Sequence, residues 1–349
     1  MILPQTYAAT LFLMVLSMLC WGSWANAYKM AGKWRFELFY FDYAIGLLIT
    51  AVVVALTAGS MGFDGFSLMD DLMHAGKHQW FFGLLGGVVF NLANMLLMAA
   101  IAVAGMAVAF PVGIGLALII GVVLNYLIKP AGNPALLFGG CVLVLVAIVV
   151  DATAYNLLGK LRHEKLARAG QAKSTRRPTS FKGVVLALVG GLLMGSFFPL
   201  LEKGKEGETG LGPYSIALLF AIGVFLSTFV FNLFFMNLPV EGEPLELTAI
   251  FTSKPKQHLL GLLGGAIWCV GGIASFVAAS APAEIHVGPA ISYAMGQGAT
   301  LISTLWGLLV WKEFADADTK VKSLVVIMLA LFAIGLTMIA LAPQIAPGT

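Results

Sequence analysis

Charge is what this chain has least of. Asp, Glu, Lys and Arg together make up 11% of its 349 residues, against about 25% in an ordinary soluble domain. No polar stretch exceeds about 30 residues, so neither a soluble catalytic domain nor an ectodomain fits. Cysteine is also scarce. Cys20, Cys141 and Cys269 stand far apart in apolar runs, and their odd count and wide spacing match no metal motif or disulfide framework. Other signatures are missing too. There is no Asp-x-x-Asp set, no Gly-x-Ser-x-Gly and no His-Glu-x-x-His, which leaves a membrane-embedded lipid-modifying enzyme as a distant alternative. The first apolar run has no basic residues before it and is too long for a signal-peptide core, so a retained span is expected.

Hydrophobic residues, at 60%, and 40 glycines are what the chain has instead. Glycine is favoured where membrane helices pack closely. Roughly 20 apolar residues cross a bilayer as a helix. Ten segments qualify, at about 7–28, 36–58, 80–103, 106–128, 134–153, 183–202, 213–238, 258–280, 286–310 and 322–342. A short interfacial helix capped by Ser67 is expected between the second and third, and His74 and His78 read as solvated loop residues.

The chain also repeats itself. Gly83-Leu84-Leu85-Gly86-Gly87 recurs as Gly261-Leu262-Leu263-Gly264-Gly265, and the same shift of 178 carries Pro111 to Pro289. Gly22-Ser23 echoes Gly195-Ser196, and Ala44-Ile45-Gly46 echoes Ala221-Ile222-Gly223. The fold class expected is all-α integral membrane: ten transmembrane helices as two inverted five-helix repeats. The first repeat covers 1–153, a basic linker 154–182, and the second repeat 183–349.

Basic residues set the orientation. Four of the 20 Lys and Arg fall on the face of both termini, and the other 16 on the opposite face. Eight of those lie between the fifth and sixth helices. That loop is expected in the cytoplasm and both termini outside. Its basic residues suit anionic lipid; without aromatic interleaving they do not suit nucleic acid.

Candidate site residues follow from polar groups at membrane depth. Asp42 sits about two turns inside the second helix, where an acid facing lipid costs at least about 3 kcal/mol. It is the first candidate for proton coupling, and Glu37, near the helix mouth, is the second. Trp21, Ser23, Trp24 and Asn26 cluster on the first helix; they either line a cavity for a flat or ring-shaped polar solute or pack helices at the interface. Asn91 and Asn94 on the third helix, and Tyr293 and Gln297 on the ninth, are further substrate-binding candidates. Pro111 and Pro289 are candidate gate hinges. Glu284 and His286, before the ninth helix, read as exposed turn residues or a pH-sensitive gate. Glu202 and Lys203 are expected to pair locally.

Several of these residues carry a family resemblance. Cys20-Trp21-Gly22-Ser23-Trp24, the run from Trp34 through Glu37 and Asp42 to Tyr43, Ile291-Ser292-Tyr293-Ala294 and Ser303-Thr304-Leu305-Trp306-Gly307 are similar to the ureide permease branch of the drug/metabolite transporter superfamily. That branch is close to the glucose/ribose and rhamnose permeases. The resemblance implies proton-coupled uptake of a ureide or nucleobase such as allantoin or uracil. Helices one to four and six to nine would then surround the cavity. A monosaccharide symporter, and multidrug or amino-acid efflux, are the alternatives within transport. No cofactor is implied beyond a proton gradient, because the 5–6 loop lacks the Gly-x-x-x-x-Gly-Lys-Ser/Thr seen in nucleotide sites. The expected partners are a small-molecule substrate and the bilayer, with no oligomer required.

Overall fold

The computed structural model describes all residues except 63, 105–108, 169–180, 240–242, 286, 316 and 346–349, and the side chains of 102–104, 110, 111 and 165–167 are likewise left aside. His286 therefore lies outside the described residues. The first segment is α1 (Tyr7–Ser23) and α2 (Ala25–Met30), with a break at Trp24. Thr6 starts α1 by accepting the Ala9 N–H through its side chain at 3.2 Å, the usual task of an N-cap hydroxyl. Then come α3 (Phe36–Leu56), α4 (Leu68–His74) and α5 (Lys77–Ala104). A π-turn at Phe110–Ile114 leads into α6 (Gly115–Ile128), followed by α7 (Pro134–Arg168). The second half holds α8 (Phe181–Gly204), α9 (Pro213–Asn237), α10 (Pro255–Ala279), α11 (Pro289–Gly296), α12 (Ala299–Leu305) and α13 (Thr319–Leu341).

Among the described residues eight helices are long and apolar enough to cross a membrane. The fourth and ninth expected segments differ. The fourth contributes a shorter helix over Val112–Ile128. The ninth is broken at Gln297 and Gly298 and ends in a second π-turn, Trp306–Val310.

Three local expectations need correction. Helix α7 runs on to Arg168, so residues 154–168 of the basic linker are helical. Ser67 does precede α4, but its hydroxyl donates to the Asp70 carboxylate at 2.6 Å instead of capping a backbone N–H. Glu202 pairs with Lys205 at 2.6 Å, not with Lys203; on a helix end the i+3 residue shares its face, and the next residue does not.

The repeated glycines explain how the halves meet. A Cβ on Gly265 would stand 1.9 Å from the Tyr43 carbonyl oxygen, and one on Gly46 would stand 2.1 Å from that of Leu262. Their counterparts do the same: a Cβ on Gly87 would lie 2.1 Å from the Phe220 oxygen, and one on Gly223 would lie 2.3 Å from that of Leu84. Each Gly-Leu-Leu-Gly-Gly motif thus lies backbone-to-backbone against the Ala-Ile-Gly motif of the other half. Only a hydrogen side chain permits that approach. The pairing is reciprocal at the level of whole helices: α3 packs on α10 as α9 packs on α5, and α1 packs on α10 as α8 packs on α5. Helices α7 and α13 pack on each other.

Helix α3 shows how the surface is divided. Ile45, Ile49, Val53 and Leu56 are exposed, whereas Tyr40, Tyr43 and Leu47 are fully buried. The exposed apolar stripe is the side for lipid, and the tyrosine side faces the centre.

Candidate functional site

The centre is a layer of aromatic rings drawn from both halves. Trp268 on α10 stacks on Trp21 at 5.6 Å and 23° on one side, and on Phe220 at 5.4 Å and 15° on the other. Phe90 approaches Trp268 to 4.4 Å and also touches Phe197. Phe90 and Trp268 are themselves repeat partners, 178 apart. Trp24 leans on Tyr43 at 5.1 Å, and Tyr43 stacks on Tyr40 at 4.9 Å. The Tyr40 hydroxyl accepts from Asn94 Nδ2 at 3.1 Å.

Buried polar atoms are almost always paired, yet three near this layer have no protein partner. They are Trp21 Nε1, the Tyr43 hydroxyl and Asn91 Oδ1. These are a donor, a donor–acceptor and an acceptor, each left without a protein partner. Asn91 spends its Nδ2 on Ser227 Oγ at 2.8 Å, with Thr228 Oγ1 and the Val224 carbonyl each at 3.2 Å. It therefore ties α5 to α9 and offers only its oxygen.

Other candidates are engaged elsewhere. Ser23 Oγ accepts from Trp306 Nε1 at 2.8 Å, and Asn26 Oδ1 accepts from Trp311 Nε1 at 2.7 Å. Those bonds join α1 and α2 to the end of the ninth segment, away from the ring layer. Tyr293 packs against Phe197 and Phe198, but its hydroxyl bonds the carbonyls of Ala117 at 3.2 Å and Met194 at 3.3 Å. Gln297 occupies the break in the ninth segment. Pro289 stands in the first turn of α11 and so frees no carbonyl of an upstream turn. Pro111 lies within the first π-turn.

The two acids of α3 part company. Asp42 is buried, but on a helix it points about 160° from Tyr40 and about 140° from Leu47, toward the lipid-side edge. There its Oδ2 meets His258 Nδ1 of α10 at 2.7 Å, and Trp34 lies edge-on to the imidazole. The sequence reading contained no role for His258. Its position one turn before the repeated glycine motif was the available signal. Glu37, about 60° from Tyr40, forms a two-pronged pair with Arg35 at 2.7 and 3.1 Å. That bond holds the Arg35 guanidinium above its ordinary pKa.

Two cavities flank the layer, at opposite ends of α9. One, of about 550 Å³, is lined by Tyr28, Arg35, Phe36, Glu37, Met95 and Asn232. The other, of about 490 Å³, is lined by Asp71, Lys129, Glu202, Lys205, Pro213 and Ser280. Burial lowers the Lys205 pKa, against the opposing pull of Glu202.

Comparison with known proteins concerns the chain as a whole. The ureide permease family model matches residues 39–184. Ureide permease 1 of Arabidopsis thaliana is 23% identical over 379 residues, spanning 93% of this chain and 95% of the relative. Ureide permease 4 of the same plant is 24% identical, spanning 95% and 96%. A solved crystal structure, 18% identical, superposes with a TM-score of 0.61 over 97% of this chain and 99% of its own, which supports the fold. The chain is a multi-pass membrane protein, similar to the ureide permeases over nearly its whole length.

Proposed function

We propose that this chain is a secondary transporter of the drug/metabolite type. It imports a small, mostly neutral polar solute, a ureide or nucleobase of the allantoin or uracil kind, and the proton gradient drives the import. The observation that carries this reading is the central ring layer with its three unpartnered polar atoms, in a chain similar end to end to ureide permeases. A ureide or uracil ring is flat and carries N–H and C=O groups on its edge. It would sit at the edge of the Trp21–Trp268 stack once the halves part, accept from Trp21 Nε1, and donate to Asn91 Oδ1, with Tyr43 and Asn94 at its rim.

The reciprocal glycine packing supports ten membrane segments in two inverted halves, the fourth and ninth being broken. Rocking of these halves would expose the ring layer first to one cavity and then to the other. The basic excess supports a cytoplasmic Arg35–Glu37 cavity and 5–6 loop, with the Lys205 cavity and both termini outside in a cell-membrane setting. Glu37 lines that inner cavity and is better placed than Asp42 to meet solute; Asp42 is better read as spent on its bond to His258.

The test uses purified protein in proteoliposomes with an inward proton gradient. Radiolabelled allantoin or uracil should accumulate and drain when a protonophore is added. Glucose serves as the competing sugar arm. Absence of both accumulation and counterflow for allantoin and uracil would sink the solute assignment.

A further inference from the structure

We propose that Asp151 is a proton-binding site and that its proton controls a gate on the basic face of the molecule. The proposal rests on the transport reading for its purpose, though not for its test.

The gate is visible as a set of bonds between the first helix and the ninth segment, which belong to different halves. Trp306 Nε1 donates to Ser23 Oγ, and Trp311 Nε1 donates to Asn26 Oδ1. Next to them Lys29 forms an ion pair with Glu313 Oε1 and lies 4.3 Å over the Trp311 ring. The Tyr155 hydroxyl of α7 donates to Glu313 Oε2 at 3.0 Å, and Arg162 donates to the Glu313 carbonyl. Glu313 is thus the point where α2, α7 and the ninth segment meet.

Asp151 lies behind this closure. It is buried, one helical turn before Tyr155 on α7, and its recorded hydrogen bond is with Thr304 Oγ1 of α12 at 3.1 Å. Thr304 also donates to the Thr300 carbonyl, at 3.0 Å. A hydroxyl has one hydrogen and cannot satisfy both acceptors. If Asp151 carries a proton, the chain closes: Asp151 O–H donates to Thr304, and Thr304 donates to Thr300. If Asp151 is ionised, Thr304 gives its one hydrogen to the carboxylate and its bond to the Thr300 carbonyl is lost.

No neighbouring cation neutralises Asp151 among the described residues. On α7 the facing groups are Tyr155 and, further along, Arg162, which is bound to the Glu313 carbonyl. The loop after the second π-turn brings Glu313, a like charge, while Lys312 is exposed. Lys29 of α2 is committed to Glu313. Helix α13 has only Lys320 and Lys322, exposed at its start, and α6 has no charged side chain. An ionised carboxylate in that position is costly unless water reaches it, and water reaches it only when the Trp306 and Trp311 latches part. Proton loss breaks the Asp151 O–H bond, leaves the electron pair on the carboxylate, and delivers the proton to the entering water. Protonated Asp151 keeps the gate shut; ionised Asp151 opens it.

The experiment needs no solute. Spin labels are placed at Met30→Cys and Leu309→Cys in a background with Cys20, Cys141 and Cys269 replaced by alanine. Their separation is then measured in nanodiscs by pulsed electron resonance across pH 5 to 9. The ratio of separated to closed pairs should rise with pH, by roughly tenfold per unit where one proton is released. Asp151→Asn should hold the closed distance at every pH. Glu313→Gln should raise the separated fraction throughout while keeping the pH dependence. A flat response in the parent, or an unchanged midpoint in Asp151→Asn, overturns the proposal. Should Asp151→Asn fail to give a monodisperse protein, Thr304→Val replaces it: a shifted midpoint supports the relay, and an unchanged one overturns it. A titrating gate in a protein that moves neither allantoin nor uracil would sink the solute assignment and leave the proton site standing.

Discussion

A single hydrogen-bond donor separates two roles for Trp21. Its ring packs between Gly271, Gly296 and Trp268, which any aromatic would partly do. Its Nε1 has no partner in the protein. Trp21→Phe should therefore leave the melting temperature nearly unchanged while weakening allantoin binding roughly tenfold, about 1.4 kcal/mol, the size of one good hydrogen bond. Isothermal titration of both proteins reads this directly, and equal affinities would make Trp21 a packing residue only. His258 makes the opposite case. His258→Ala leaves the buried Asp42 carboxyl without its hydrogen-bond partner, so a loss of about 1–3 kcal/mol is expected, discounted because the imidazole is partly exposed. The double variant Asp42→Asn with His258→Ala should recover part of that loss in a thermal melt; if it melts lower than His258→Ala alone, the pair does not act as described. Trp21, Trp24 and Asn94 were legible as candidates from their clustering. Trp268, Asp151 and His258 were not: the first two sit alone in apolar runs, His258 follows a short polar stretch, and each acquires its meaning from a ring, a hydroxyl or a carboxylate far away in sequence.

Helices meet here by their glycines, and the fit has a measurable tolerance. Gly265→Ala would place a methyl carbon 1.9 Å from the Tyr43 oxygen, which only a shift of α3 against α10 can relieve. Overpacking of this kind costs about 1–3 kcal/mol or more, and Gly87→Ala should match it at the α5–α9 contact. Gly159 on α7 is the control. Nothing lies within 4 Å of a Cβ there, so Gly159→Ala should stabilise by about 0.5–1 kcal/mol through helix propensity. A melt in which Gly265→Ala and Gly159→Ala move together would remove close backbone approach as the reason for the repeated motif. The motif itself was visible in the sequence. That each copy packs on a different motif of the other half was not, since sequence spacing carries no information about which face of a helix meets which neighbour. The broken ninth segment was hidden for a related reason: a span of about 20 residues averages the hydropathy over Gln297 and Gly298, whereas the backbone turns at them.

For the whole molecule the clearest prediction concerns sidedness. In the proposed ten-segment topology sixteen of 20 basic residues fall on one face, the face that the positive-inside bias assigns to the cytoplasm. A reporter active only outside the cytoplasm should therefore work when fused after Thr349 and stay silent when inserted near residue 170. The reverse pattern would invert the molecule, and with it the face on which the Asp151 gate opens.

Composition and hydropathy alone determined that this is an all-helical membrane protein, because burying unpaired backbone in lipid leaves few other solutions. They also marked the internal repeat and the polar cluster near Trp21. The tertiary structure decided which polar groups remain free and which are spent. Asp42 is bonded to His258, and Ser23 and Asn26 are taken by two tryptophans. Trp21, Tyr43 and Asn91 keep one unpaired atom each. The physical reason is that a side chain's availability depends on partners from other helices, and the chain order does not say which helices those are.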